Sequence, residues 1–127
     1  MIILTKSFEK QLESLKMEIN DVAVGINRTL NKKIFRKGDT LLANSFIDLK
    51  KCLVVKIRVG PKQQARMLVI FIIVKNIKIP FFIIKKNDKR FGSNLSLKGK
   101  MKSVISEKAN RSLDDFDGGK YDKINEK

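Results

Sequence analysis

Residues Cys52 to Ile84 read CLVVKIRVGPKQQARMLVIFIIVKNIKIPFFII, and the fold of the chain turns on this stretch. Three runs rich in β-branched and aromatic residues, Cys52–Val59, Arg66–Val74 and Ile77–Ile84, are separated by Gly60-Pro61 and by Lys75-Asn76. Such runs, bounded by turn residues, predict three strands. The short connections predict an antiparallel meander in which strands adjacent in sequence are adjacent in space. Pro80 has no N–H to give to a ladder, so its strand must run at a sheet edge or bulge there.

Upstream, Ile2–Leu4 predicts a short strand, and Thr5 or Ser7 offers a side-chain oxygen to cap a following helix. Phe8, Leu12, Leu15, Ile19, Val22, Ile26 and Leu30 recur at three- and four-residue steps, which puts them on one helical face. Asn20-Asp21 can cap a second helix and Gly25 interrupts the pattern, so the segment reads as one long helix or a helical hairpin ending before Gly38. Downstream, Ser96 opens a short helix to about Ile105, and the polar remainder is a mobile tail or returns as a short strand. The fold class expected is α+β: an N-terminal helical hairpin on a small antiparallel β-sheet, with a short C-terminal helix and a polar tail. One face of that sheet lies under the helices and the other meets solvent. At 127 residues this is a single domain, with a strand and helices over 1–37, the sheet over 50–87 and the C-terminal helix and tail over 94–127.

Charge narrows the partners. The chain carries 28 Lys and Arg against 13 Asp and Glu, a formal net charge of +15, and self-repulsion on that scale suits a protein that meets a polyanion. The longest apolar stretch, Met67–Val74, is far shorter than the roughly 20 residues of a membrane-spanning helix. With no leader-like N-terminus and a single cysteine, Cys52, the chain is expected in the cytoplasm, with no disulfide and no membrane partner.

Between Leu49 and Asn87 there are ten cations and no acid: Lys50, Lys51, Lys56, Arg58, Lys62, Arg66, Lys75, Lys78, Lys85 and Lys86. Period-two geometry puts Lys56 and Arg58 on one strand face, opposite to Leu53, Val55, Ile57 and Val59. Arg66 opens the next strand and Lys86 closes the last, so both can approach that face. Like charges set opposite each other without acids to pair them cost stability, which implies an anionic ligand.

The chemistry open to such a site is restricted. The chain has no His, its only Tyr is Tyr121, and Asp88 is the only acid near the sheet, so neither histidine acid–base catalysis nor a carboxylate-held metal is expected, and no cofactor. Gly60-Pro61-Lys62 lacks the spacing of a phosphate-binding loop. What remains is cationic catalysis, in which clustered Lys and Arg stabilise a phosphorane-like transition state and a lysine of lowered pKa moves protons. RNA carries its own nucleophile, the 2′-hydroxyl, so its cleavage needs no metal. Composition leaves a nuclease and a non-catalytic RNA- or ribosome-binding protein both open; the second calls for exposed aromatics that stack bases, and of the adjacent Phe81 and Phe82 only one can face solvent and core packing is the expected role, which counts against it.

The segment order resembles the RelE/ParE superfamily of type II toxin–antitoxin toxins over nearly the whole chain. The resemblance is carried by Thr5-Lys6-Ser7-Phe8-Glu9-Lys10-Gln11-Leu12, by Asp48-Leu49 through Lys56-Ile57-Arg58-Val59, by Arg66 opening an apolar strand, and by Lys86-Asn87-Asp88 followed by Asn94-Leu95-Ser96. Many relatives have a Gly-Gly-Tyr-Arg-like approach to the third strand where this chain has Gln64-Ala65-Arg66. The resemblance implies a toxin that cuts messenger RNA, often on the ribosome, and is neutralised by a cognate antitoxin. It implies that Lys56, Arg58 and Arg66 bind and polarise the scissile phosphate, with Lys56 as base and Lys86 as a further phosphate contact or proton-transfer group. Lys50, Lys51, Lys62, Lys85, Lys89 and Arg90 would bind the flanking RNA. The superfamily also contains ParE-like inhibitors of DNA gyrase, which is the alternative reading.

Overall fold

In a computed structural model of the chain, the residues described are 1–28, 40–42, 52–60, 64–72, 75–85 and 100–124. Among them are six strands and three helices: β1 (Ile2–Thr5), α1 (Lys6–Leu15), α2 (Ile19–Ile26), β2 (Thr40–Leu42), β3 (Cys52–Val59), β4 (Ala65–Ile72), β5 (Ile77–Lys85), α3 (Lys100–Asp117) and β6 (Tyr121–Ile124). The strands form one sheet in the order β2-β3-β4-β5-β1-β6. The meander β3-β4-β5 is antiparallel with neighbours in sequence order, in the register Val55↔Val69 and Met67↔Ile83.

Three expectations need correction. First, the sheet is mixed rather than antiparallel, because β1 lies parallel to β5, with Ile2 beside Lys78, and β6 then pairs antiparallel with β1. All four residues of β1 are buried, which fits a strand placed inside a sheet and not at its rim. The chain thus opens on a strand, and the two helices follow it.

Second, helices cover both faces. α1, α2 and the turn between them bury Phe8, Leu12, Met17, Val22 and Ile26 against Val55, Ile57, Val59, Met67, Val69 and Ile83. On the other face α3 sets Ile105 and Ala109 against Ile3, Leu68, Ile70, Phe81 and Ile84. The near-continuous apolar run of β4, buried from Ala65 to Ile70, is what a sheet covered on both sides requires.

Third, the C-terminal helix is not short. It runs from Lys100 to Asp117, through most of the expected tail. Its buried stripe, Ile105, Ala109 and Ser112, is narrow and contains a serine, which hides the helical period in a polar segment. The Ser112 hydroxyl meets that of Thr5 at 3.1 Å, and Asp115 accepts both the N–H (2.9 Å) and the hydroxyl (2.5 Å) of Ser7, tying α3 to the start of α1. Beyond it Gly119, at φ +73°, turns the chain into β6, so the short-strand alternative for the tail is the one adopted.

Local signals act as their chemistry demands. Thr5 caps α1 by accepting the Phe8 N–H at 3.3 Å. Lys16 takes a left-handed conformation, φ 55°, and ends α1, so the segment is two helices rather than one. The cap of α2 is Glu18, and Asn20 and Asp21 lie inside its first turn, not before it. Gly25 sits within α2 because a Cβ there would stand 2.5 Å from Val59 Cγ1; its lack of a side chain lets α2 settle on β3.

Pro80 is bulged and lies in an interior strand, not an edge strand. Leu68 pairs with Phe82 and Val69 with Pro80, which leaves Phe81 as the extra residue. The Lys78 N–H donates to the Met1 carbonyl at 2.9 Å, and strand residues two apart face the same neighbour, so Pro80 lacks its N–H on the β1 side. Past that point a side chain of α1 replaces the missing strand. Gln11 donates through Nε2 to the Phe81 carbonyl at 2.8 Å and accepts the Ile83 N–H through Oε1 at 3.2 Å, as a peptide group would.

No helix among the described residues is long and apolar enough to cross a membrane.

Candidate nucleic-acid interface

Arg58 on β3 and Arg66 on β4 are cross-strand partners, with Cα atoms about 5 Å apart. Lys56 lies two residues along β3 from Arg58 and therefore on the same face, beside Leu68 of β4 and Thr40 of β2. The face is the one that α3 partly covers, since Val54 and Leu68 belong to the α3-side core while Val55, Ile57 and Val59 belong to the other. Lys56 and Arg58 are half-buried and Arg66 is buried, 7% exposed.

This packing changes Lys56 most. Burial, then the charge of Arg66, then that of Arg58, hold its ammonium below the usual lysine pKa. All three causes have the same sign, and no carboxylate is among them. Two hydrogen bonds fix the surroundings: Arg66 Nη1 donates to the Ala65 carbonyl at 3.2 Å, and Arg28 Nη2 reaches from beyond α2 to the Arg58 carbonyl at 3.0 Å. Arg28 escaped sequence reasoning because it lies outside the acid-free run. Its only signal is position, following the α2 stripe that packs on β3.

The other expected site residues divide. Lys85 pairs with Ala65, whose side chain belongs to the α1/α2-side core, so Lys85 is on the opposite face from Lys56, Arg58 and Arg66. Of the remaining cations of the run, Lys75 is exposed in the β4–β5 turn and Lys78 is buried beneath the Phe71 ring, 5.6 Å from its centroid. Lys50, Lys51, Lys62, Lys86, Lys89 and Arg90 lie outside the described residues.

Phe81 and Phe82 do not alternate between core and solvent. The bulge turns both into the α3-side core, at 0% and 4% exposure, so neither offers a stacking platform. Among the described residues no three His, Cys, Asp or Glu side chains gather in a way that could hold a metal ion. No protein-family model, curated protein or solved structure matches the chain.

Proposed function

We propose that the chain is a RelE-like toxin, a ribonuclease that cuts messenger RNA without a metal and is held inactive by an acidic antitoxin segment. In this reading α1 and α2 are the helical pair of that fold. The observation that carries it is Lys56, half-buried beside two arginines on one strand face, its ammonium disfavoured by burial and by both guanidinium charges.

A lysine so placed has a larger neutral fraction than one in water, and neutral Nζ is a base. It accepts the proton of an RNA 2′-hydroxyl as that oxygen attacks the adjacent phosphorus. The 2′-O–P bond forms, charge grows on the phosphoryl oxygens, and Arg58 and Arg66 stabilise it. The P–O5′ bond then breaks, leaving a 2′,3′-cyclic phosphate and a 5′-oxygen that takes a proton from water or from Lys86. DNA lacks the nucleophile and is not cut.

The cationic cluster also suits an acidic inhibitor segment, which would occupy the phosphate positions and relieve the repulsion between Arg58 and Arg66. The test is induced expression of the intact chain beside an Arg58→Ala/Arg66→Ala chain, with growth, bulk translation and message ends followed together. Arrest with new message ends in the intact chain alone supports the reading. Equal arrest in both overturns the site, and arrest without new ends points to a target other than message, as in gyrase inhibition.

A further inference from the structure

A groove of about 380 Å³ opens where α1, the end of β5 and α3 meet. Lys10 of α1 faces Lys108 and Arg111 of α3 across it, and no carboxylate is among the described lining residues, although Asp115, which accepts from Ser7 of the wall, is near enough for the charge of Lys10 to lower its pKa. Val104, Lys108 and Arg111 recur at four- and three-residue steps, so α3 presents them on one face. Arg111 Nη2 is 2.8 Å from Glu107 Oε1, but both side chains are about 60% exposed, at 61% and 59%, and such a pair gives way readily to a stronger anion.

The floor connects the groove to the cationic cluster. Phe82 and Ile84 line it from β5, and Ile84 is the cross-strand partner of Arg66, whose partner on the other side is Arg58. Ladder partners share a face, so Ile84, Arg66 and Arg58 form one row, and two strand spacings give about 10 Å from floor to Arg58. Phe82 and Ile84 are 4% and 3% exposed, which leaves cations and hydroxyls, not an aromatic face, to meet a ligand.

We propose that this groove is a second phosphate-binding subsite, which holds the flank of a single RNA strand whose neighbouring phosphodiester lies at Lys56, Arg58 and Arg66. It rests on the reading of that cluster as the cleavage site. With no exposed aromatic face and no acid among the described lining residues, the subsite grips the backbone and is indifferent to sequence.

The test is binding of 2′-O-methyl RNA, which cannot be cleaved, at two lengths of about three and about twelve nucleotides. A Lys10→Gln/Lys108→Gln/Arg111→Gln chain should bind the short strand like the parent. It should bind the long one roughly tenfold to a hundredfold more weakly, with its salt slope flattened by about 2, since each lost contact removes about 0.7. Ser14→Glu, which places an acid at an exposed position on the groove wall, should weaken long-strand binding without removing any native contact. Unchanged affinity and slope in both variants overturn the groove, as does loss of binding to polyglutamate alone, which would make it a protein surface. Failure of the underlying reading shows elsewhere, as unchanged short-strand binding by the Arg58→Ala/Arg66→Ala chain.

Discussion

Arg58 and Arg66 stand directly opposite each other across the β3–β4 ladder, two guanidinium side chains on one face of a sheet. Like charges in cross-strand positions work against the fold, at a scale of about 0.2–1 kcal/mol per pair. Arg58→Gln, which keeps a hydrogen-bonding side chain and removes one charge, should therefore raise unfolding stability by about 0.5 kcal/mol while RNA cleavage falls. Urea denaturation beside a cleavage assay checks both signs, and added inorganic phosphate should raise the melting temperature of the parent more than that of the variant.

Lys56 gives the account a pH signature. Its folded pKa is below the unfolded value, so between the two the unfolded chain binds more protons, and stability rises with pH across that window. Below the folded pKa the full cost of burying the ammonium is present, and above the unfolded pKa it is gone. Cleavage should rise with pH through the folded pKa, at lower pH than an unperturbed lysine would give. Lys56→Met should abolish both trends and lower the cleavage rate by about 10²- to 10⁴-fold, read from paired pH–rate and pH–stability profiles.

The Gln11 side chain is the substitute for a strand neighbour that Pro80 rules out. Gln11→Ala leaves the Phe81 carbonyl and the Ile83 N–H without that partner and should cost about 1–3 kcal/mol in urea unfolding. Gln11→Glu should recover only part of this, because a carboxylate accepts from Ile83 and cannot donate to Phe81.

Gly25 tests how closely α2 rests on β3. A Cβ built there lies 2.5 Å from Val59 Cγ1, so Gly25→Ala should destabilise by about 1–3 kcal/mol despite its gain in helix propensity. Combined with Val59→Ala the two costs should be less than additive, because the second substitution removes the atom that clashes with the first.

The meander was legible because each strand carries its own β-prone run and its own turn, and the runs Cys52–Val59 and Ile77–Ile84 match β3 and β5 to within a residue. Period two was enough to bring Lys56 and Arg58 together, and the turn at Gly60 carried Arg66 to Arg58. What escaped depends on distant partners. β2 has only three residues and is defined by pairing with β3, not by its own pattern. The parallel entry of β1 beside β5 and the cover that α3 gives the second face both join segments some 75 to 110 residues apart, as Met1 to Asn76 and Ser7 to Asp115 do at separations of 75 and 108. The groove cations Lys10, Lys108 and Arg111 were hidden for the same reason, since Lys10 and the other two lie about 100 residues apart in sequence and meet only where α1 packs beside α3.

The most direct measurement is of the chemistry of the cut ends. Message incubated with the purified chain and translating ribosomes should acquire 5′-hydroxyl and 2′,3′-cyclic phosphate ends, and a single 2′-deoxy substitution at a mapped cut should abolish that cut. Ends bearing 5′-phosphate, or a cut that survives the 2′-deoxy substitution, would contradict catalysis by Lys56 through the 2′-hydroxyl.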